Sequence, residues 1–122
     1  MVITAIVVDD EKLARSRLIR MLKAYEDIEI AGQAQNGEEA IDVIEKENPD
    51  VIFLDIRMPL LSGFEMLDKC SPSSYIIFTT AYHEYALQAF EENAVDYLLK
   101  PVSEEKLERA VEKLRRIAGK EG

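Results

Sequence analysis

Residues 51–63 read VIFLDIRMPLLSG, and the reading of this stretch settles the fold. Val51 to Leu54 is apolar without alternation, the pattern of a strand buried on both faces inside a parallel sheet. Asp55 comes at its end, and Met58-Pro59 through Ser62-Gly63 supply turn residues, so an acid stands where a buried strand gives way to a loop. Toward the N terminus, Asn48-Pro49 stops a helix built on Ala40, Ile41 and Ile44, which Asn36 opens as a capping box with Glu39 three residues later. Before it, Ile28 to Ala34 reads as a strand. Glu11 to Tyr25 reads as a helix with Ala14, Leu18, Met21, Leu22 and Tyr25 on one stripe, and the β-branched run Ile3 to Val8 as the first strand.

Toward the C terminus, Phe64 to Lys69 makes a short helix, Ser71-Pro72-Ser73-Ser74 breaks it, and Tyr75 to Thr79 is the fourth strand. His83 to Glu92 reads as a helix with Ala86, Ala89 and Phe90 inward. Val95 to Leu99 is the fifth strand, and Ser103 caps a last helix whose Leu107, Ala110, Val111, Leu114 and Ile117 face the core until Gly119 ends it. Five strands alternating with five helices through short connections predict an α/β fold with right-handed crossovers and helices on both faces. The expected architecture is a flavodoxin-like (βα)5 doubly wound parallel sheet, strand order 2-1-3-4-5. With 122 residues the chain has the size of one domain, expected over 1–118, with 119–122 as a short polar tail.

Composition bounds what such a domain does. Hydrophobic residues make up 48% of the chain, enough for a core without covalent staples. Cys70 is the single cysteine, which fits a reduced, cytosolic protein, and an ordinary thiol is expected beside the Ser-Pro turn. Met1 to Val8 has no basic lead and runs straight into two aspartates, so it reads as a strand rather than a signal peptide; no apolar run approaches membrane-spanning length. Fifteen Lys and Arg against twenty-four Asp and Glu give a net charge of −9, which argues against direct binding of a nucleic-acid backbone. Lys12, Arg15, Arg17, Arg20 and Lys23 nevertheless make one basic helix in an acidic protein, either a solvated face or a docking surface. His83, the lone histidine, flanks a helix and has no partner ligands for a metal.

In open α/β sheets ligands bind beyond the carboxyl ends of the strands. That rule collects Asp9 and Asp10 after the first strand, Asp55 after the third, Thr80 after the fourth and Lys100 after the fifth. Singly, each has a plain structural explanation: helix caps for Asp9 and Asp10, a turn residue, a strand end, a solvated cation. Together, three carboxylates in one crevice call for a cation, and hard oxygen donors without His or Cys favour Mg²⁺. A carboxylate held beside Mg²⁺, a hydroxyl and an ammonium can act as a nucleophile toward phosphorus.

Val8-Asp9-Asp10-Glu11, Leu54-Asp55-Ile56-Arg57-Met58-Pro59 with Gly63, Thr80-Ala81 and Lys100-Pro101 together resemble the receiver domains of two-component response regulators, in order and over nearly the whole chain. The resemblance implies that Asp55 is the phosphoacceptor, that Asp9, Asp10, Asp55 and the backbone carbonyl of Arg57 bind Mg²⁺, and that Lys100 contacts the phosphoryl group. It makes Thr80 the switch hydroxyl and Tyr97 the switch aromatic, with a cis Lys100-Pro101 peptide. It places Arg57 and Tyr82 at the rim, where they would govern the lifetime of the phosphorylated state, and assigns donor docking to the basic helix, with Lys12 and Arg15. The implied partners are a sensor histidine kinase and, on phosphorylation, a second copy through the last two helices and the strand between them, with no membrane contact.

The stretches Phe78 to Phe90 and Ala94 to Pro101 are most similar to receivers of the LytR/AlgR group, whose regulators carry a LytTR DNA-binding domain downstream. Residues 119–122 are then a tail or a linker to an absent output domain, and a stand-alone receiver would end similarly. Two rivals are a haloacid dehalogenase-like phosphatase and a phosphorylation-independent interaction module. The first expects a second acid two residues after the nucleophile, where this chain has Arg57, and a cap domain for which there is no room; the second would be favoured had Asp10, Asp55 or Lys100 been missing.

Overall fold

The computed structural model describes residues 1–121. In chain order the elements are β1 (Ile3–Val8), α1 (Lys12–Leu22), β2 (Ile28–Ala34), α2 (Gly37–Glu47), β3 (Val51–Asp55), α3 (Gly63–Cys70) and β4 (Tyr75–Thr80). A 3₁₀ turn (His83–Tyr85), α4 (Ala86–Glu91), β5 (Asp96–Leu99) and α5 (Glu104–Glu121) complete the chain. The strands form one parallel sheet in the order β2-β1-β3-β4-β5, the expected flavodoxin-like topology. None of these helices is long and apolar enough to cross a membrane.

The period-2 alternation of strand side chains splits the core into two layers. Ile6, Val8, Ile52 and Leu54 point to one face, where they meet Ala40 and Ile44 of α2 and Phe64, Met66 and Leu67 of α3. Ala5, Val7, Val51 and Phe53 point to the other, against Leu18 and Leu22 of α1 and Leu107, Ala110, Val111 and Leu114 of α5. All five residues of β3 are buried, so the unalternating run at 51–54 is a central strand with helices on either side. Because each connection from strand to helix leaves the same edge, every loop that follows a strand gathers there, and that edge carries the buried polar residues among those described: Asp9, Asp55, Thr79 and Thr80.

Several local expectations are corrected. The first helix ends at Leu22, not Tyr25, although Tyr25 still packs against the α1/α5 layer. Asn36 Oδ1 accepts from Glu39 N at 2.8 Å, the forward half of the expected capping box; both halves of such a box occur instead at Ser62 and Glu65 on α3. Residues 83–92 start as a 3₁₀ turn, and of the three residues expected inward only Ala89 is buried, while Ala86 faces solvent and Phe90 is 79% exposed. The reason lies in the aromatic side chains already there: Phe64 packs on Phe78 at 5.0 Å between centroids and on Tyr85 at 6.2 Å, filling the face that Phe90 would need. The last helix continues through Gly119 to Glu121, and its Ile117 lies at the solvent edge. One glycine lowers helix propensity by about 1 kcal/mol, which weakens a helix without forcing a left-handed cap. Gly122, the end of the expected tail, lies outside the described residues.

Candidate functional site

Each polar residue at the carboxyl edge is delivered by a strand that is itself fixed in the core. Asp55 is the last residue of β3 and only 4% exposed; Asp9 follows β1 and is 3% exposed; Asp10 is open to solvent. Oxygens of the three carboxylates lie within 4.8 Å of one another. Lys100, immediately after β5 and joined to Pro101 by a cis peptide, brings its Nζ to 2.7 Å from Asp9 Oδ2, 3.3 Å from Asp55 Oδ2 and 3.6 Å from Glu11 Oε1. The ammonium thus bridges two buried acids.

Asp9 also serves the local backbone, although neither it nor Asp10 is the helix cap expected from the sequence: the N-cap of α1 is Glu11, with no side-chain cap bond. Asp9 Oδ1 accepts from Glu11 N at 2.9 Å, an Asx turn that leads the chain into α1. Arg15, one turn into that helix, donates through Nη1 to the Asp9 carbonyl at 2.8 Å and through Nε to Gln33 Oε1 at 2.9 Å. It is therefore engaged in fixing the acidic loop, whereas Lys12, Arg17, Arg20 and Lys23 are exposed. The sequence pattern offers Arg15 a solvated face or a docking surface; its position four residues after Glu11, on the turn facing the loop, is the available signal for this further role.

Burial pushes the Asp55 carboxyl up to about 7; the attraction of Lys100 opposes the rise, and the charges of Asp9 and Asp10 add to it. For Lys100, burial acts to lower the pKa, but the hydrogen bond to Asp9 and the charges of Asp55 and Asp9 outweigh it and hold the ammonium above its ordinary range. Two acids and one bound cation thus leave excess negative charge in a site largely closed to water. A second cation at the open side would remove it, and an all-oxygen donor set suits a hard ion such as Mg²⁺.

The open side is a cavity of about 600 Å³, lined among others by Asp10, Asp55, Arg57, Tyr82 and Lys100. The Arg57 guanidinium lies over the Tyr82 ring, 4.4 Å from its centroid, so these two side chains meet each other at the rim. Thr80 is fully buried, and its Oγ1 accepts from Tyr82 N at 3.2 Å. The half-buried Tyr97 donates its hydroxyl proton to the Tyr82 carbonyl. Tyr82 therefore touches the Thr80 hydroxyl, the Tyr97 hydroxyl and Arg57 at once, a junction that sequence reading missed because two of its three bonds use the backbone.

Comparison with known proteins agrees with this geometry. Residues 5–112 match the model of the response regulator receiver domain. The chain is 49% identical over 121 residues to the transcriptional regulatory protein BtsR of Salmonella typhimurium, an alignment that covers 98% of this chain and 51% of that protein. It thus spans about half the length of the curated relatives it matches. Among solved structures it superimposes on the response regulatory domain of protein mrkE from Klebsiella pneumoniae with a TM-score of 0.85, at 33% identity over 93% of this chain and 96% of that one. The REC domain of AraT, a response regulator from Geobacillus stearothermophilus, gives a TM-score of 0.86 at 28% identity, each chain covered in full. With acids at the ends of β1 and β3, a hydroxyl at the end of β4 and a lysine after β5 on a 2-1-3-4-5 sheet, the chain belongs to the response regulator receiver domain family.

Proposed function

We propose that this domain accepts a phosphoryl group on Asp55 from a phosphohistidine of a sensor histidine kinase, in a Mg²⁺-dependent reaction, and passes the event on as a change of surface. The observation that carries the reading is the position of Asp55: a buried carboxylate at a strand end, 3.3 Å from Lys100 and clustered with two further acids. An Asp55 oxygen attacks phosphorus as the phosphorus–nitrogen bond of the donor breaks; the bond's electron pair leaves with the imidazole, which takes up a proton. Lys100 faces the phosphoryl oxygens and Thr80 donates its hydroxyl proton to one of them. Asp9, Asp10, Asp55 and the Arg57 carbonyl are the groups that would hold Mg²⁺, which when bound would supply positive charge to the equatorial oxygens. Incubated with acetyl phosphate, the chain should gain the mass of one phosphoryl group when Mg²⁺ is present and none with a chelator. A metal-independent gain would remove the cation from this assignment.

The phosphorylated state ends when water attacks phosphorus in line and the Asp55 carboxylate leaves with the bond's electrons. Arg57 and Tyr82 both line the cavity mouth, and neither side chain is a carboxylate able to orient that water. Arg57→Ala with Tyr82→Ala should accelerate dephosphorylation roughly tenfold, about 1.4 kcal/mol in the barrier. Equal or slower loss of the phosphoryl group from the double variant, with Mg²⁺ affinity unchanged, would show that the rim does not gate water.

Donor docking falls to the basic helix α1, where Lys12 is free and Arg15 is tied to the acidic loop. Charge reversal at Arg15 would disturb Asp9 as well as a docking surface, so Lys12 is the cleaner probe. The output surface is α4, β5 and α5, used for homodimerisation on phosphorylation. In the full protein it controls transcription through a LytTR-type DNA-binding domain; this domain itself acts in the cytoplasm and touches neither DNA nor membrane. The BtsR relatives, named as transcriptional regulatory proteins, support that output. On this reading residues 1–118 are the receiver and 119–122 lead toward the output domain.

A further inference from the structure

The short helix α4 is held in an unusual way. Of its six residues only Ala89 is buried, while Leu87 and Phe90 are 71% and 79% exposed. Burial therefore does little to keep it in place. What ties the segment to the body is a run of side chains that begins at the cavity mouth: Arg57 over Tyr82, Tyr82 edge-on to Tyr85 at 6.3 Å, Tyr85 edge-on to Phe64, and Phe64 against the fully buried Phe78. The Tyr97 hydroxyl and the Thr80 hydroxyl secure the Tyr82 backbone at the same point.

Arg57 is an exposed cation, two residues from Asp55, lining the same cavity as the Asp55 carboxylate. Its guanidinium rests on a ring face, which satisfies charge without using the planar fork of N–H donors. A phosphoryl group in that cavity would present several charged acceptor oxygens, to which a guanidinium binds by paired, charge-assisted hydrogen bonds. Those bonds are stronger than an exposed stack on an aromatic ring, so the arginine would exchange one for the other.

We propose that Arg57 is a phosphoryl-binding residue held in reserve on the Tyr82 ring, and that its transfer to the phosphoryl group releases Tyr82 and loosens the 83–91 segment. The proposal rests on Asp55 being the phosphoacceptor and adds a second cation to Lys100. Tyr82 is then a positioning residue: it reports occupancy of the cavity to α4 without touching the phosphoryl group. The switch needs no movement of the sheet, since the two loops that carry Arg57 and Tyr82 are joined across the mouth by this side-chain contact.

The test is amide hydrogen exchange over residues 83–91, in wild type and Arg57→Ala, each before and after treatment with acetyl phosphate and Mg²⁺, with intact mass recording how much phosphoryl group each sample holds. In wild type, phosphorylation should speed exchange about fivefold, the size of a lost cation–π contact. Unphosphorylated Arg57→Ala should already exchange at the faster rate, with little further change on phosphorylation, and its phosphoryl resonance in phosphorus NMR should be displaced from that of wild type. Unphosphorylated Arg57→Ala exchanging like unphosphorylated wild type would overturn the proposal, as would an identical phosphorus resonance in the two proteins. A wild-type sample that gains no phosphoryl mass would instead strike at the acceptor assignment, while the comparison of unphosphorylated proteins still decides whether Arg57 holds α4.

Discussion

Asp55→Asn should take up no phosphoryl group from acetyl phosphate and Mg²⁺, while the same protein becomes harder to unfold. The first effect follows from the loss of the nucleophile: an amide oxygen cannot form an acyl phosphate, and the neighbouring Asp9 is occupied by Lys100 and by Glu11 N. The second follows from the pKa. Burial raises Asp55 in the folded protein to about 7, against 3.8 for the free side chain, so between those values the folded state retains a proton that the unfolded chain has released. Stability contributed by this group is therefore complete below about pH 4 and is lost as pH rises through 7. Asn removes the titration, keeps the shape and still offers an oxygen to Lys100. At pH 8 the metal-free variant should be more stable by about 2 kcal/mol, less than the full shift implies because water in the open cavity beside Asp55 solvates the ionised carboxylate. Thermal melts at pH 4 and pH 8 measure it: the gap between variant and wild type should be small at the lower pH, widen at the higher one, and shrink when Mg²⁺ is added to wild type. Undiminished phosphoryl uptake by the variant would move the acceptor to another side chain, and a gap independent of pH would show that Asp55 is not the titrating group.

How far the sequence discloses this site depends on which part of the chain carries the information. The five strands follow from apolar, β-branched runs, because central strands leave no room for polar residues, and the 2-1-3-4-5 order follows from the flavodoxin-like class to which their alternation with helices points. The acids, Thr80 and Lys100 follow in turn, since a topology that puts every strand's carboxyl end on one edge dictates which residues meet. Side-chain periodicity fails at α4, where it places Phe90 in the core: Phe64, Tyr85 and Phe78 from three separate elements already fill that space, a competition that a helical pattern cannot register. It fails for Arg15 because the bonds to Asp9 and Gln33 depend on where the loop backbone lies, not on helix face. Tyr82 is the plainest case. Its identity suggests a rim aromatic, but its importance comes from its own N–H and carbonyl, which bind Thr80 and Tyr97 and which any residue would possess. At Gly119 the propensity argument is overridden by the roughly four helical turns before it, in which Ser103 caps the start and a buried stripe fixes the axis.

Gly63 offers the largest structural effect for the smallest change, and it bears directly on the acceptor. It opens α3, its N–H bonds the Ile56 carbonyl at 2.8 Å, and a Cβ added there would lie 2.5 Å from the Asp55 carbonyl oxygen and 3.2 Å from Ile56 Cα. Those neighbours are backbone of the strand end that presents Asp55, so no side chain can swing aside to make room. Either α3 lifts away from the sheet, opening space beside the buried Phe64, Met66 and Leu67, or the Asp55 backbone moves and takes its carboxylate off Lys100. Gly63→Ala should therefore destabilise the fold by about 3 kcal/mol and slow phosphoryl uptake from acetyl phosphate even where the protein remains folded. Gly119→Ala is the matching control: the same methyl group meets nothing within 4 Å on the exposed end of α5, and alanine there should leave stability unchanged or raise it by a few tenths of a kcal/mol. Chemical denaturation of the two variants, paired with the rate of mass gain, distinguishes a local fit from a general intolerance of alanine. Equal stabilities for the two variants would mean that the strand end yields at no cost. A destabilised Gly63→Ala protein that is phosphorylated at the wild-type rate would show that α3, and not the acceptor loop, absorbs the displacement.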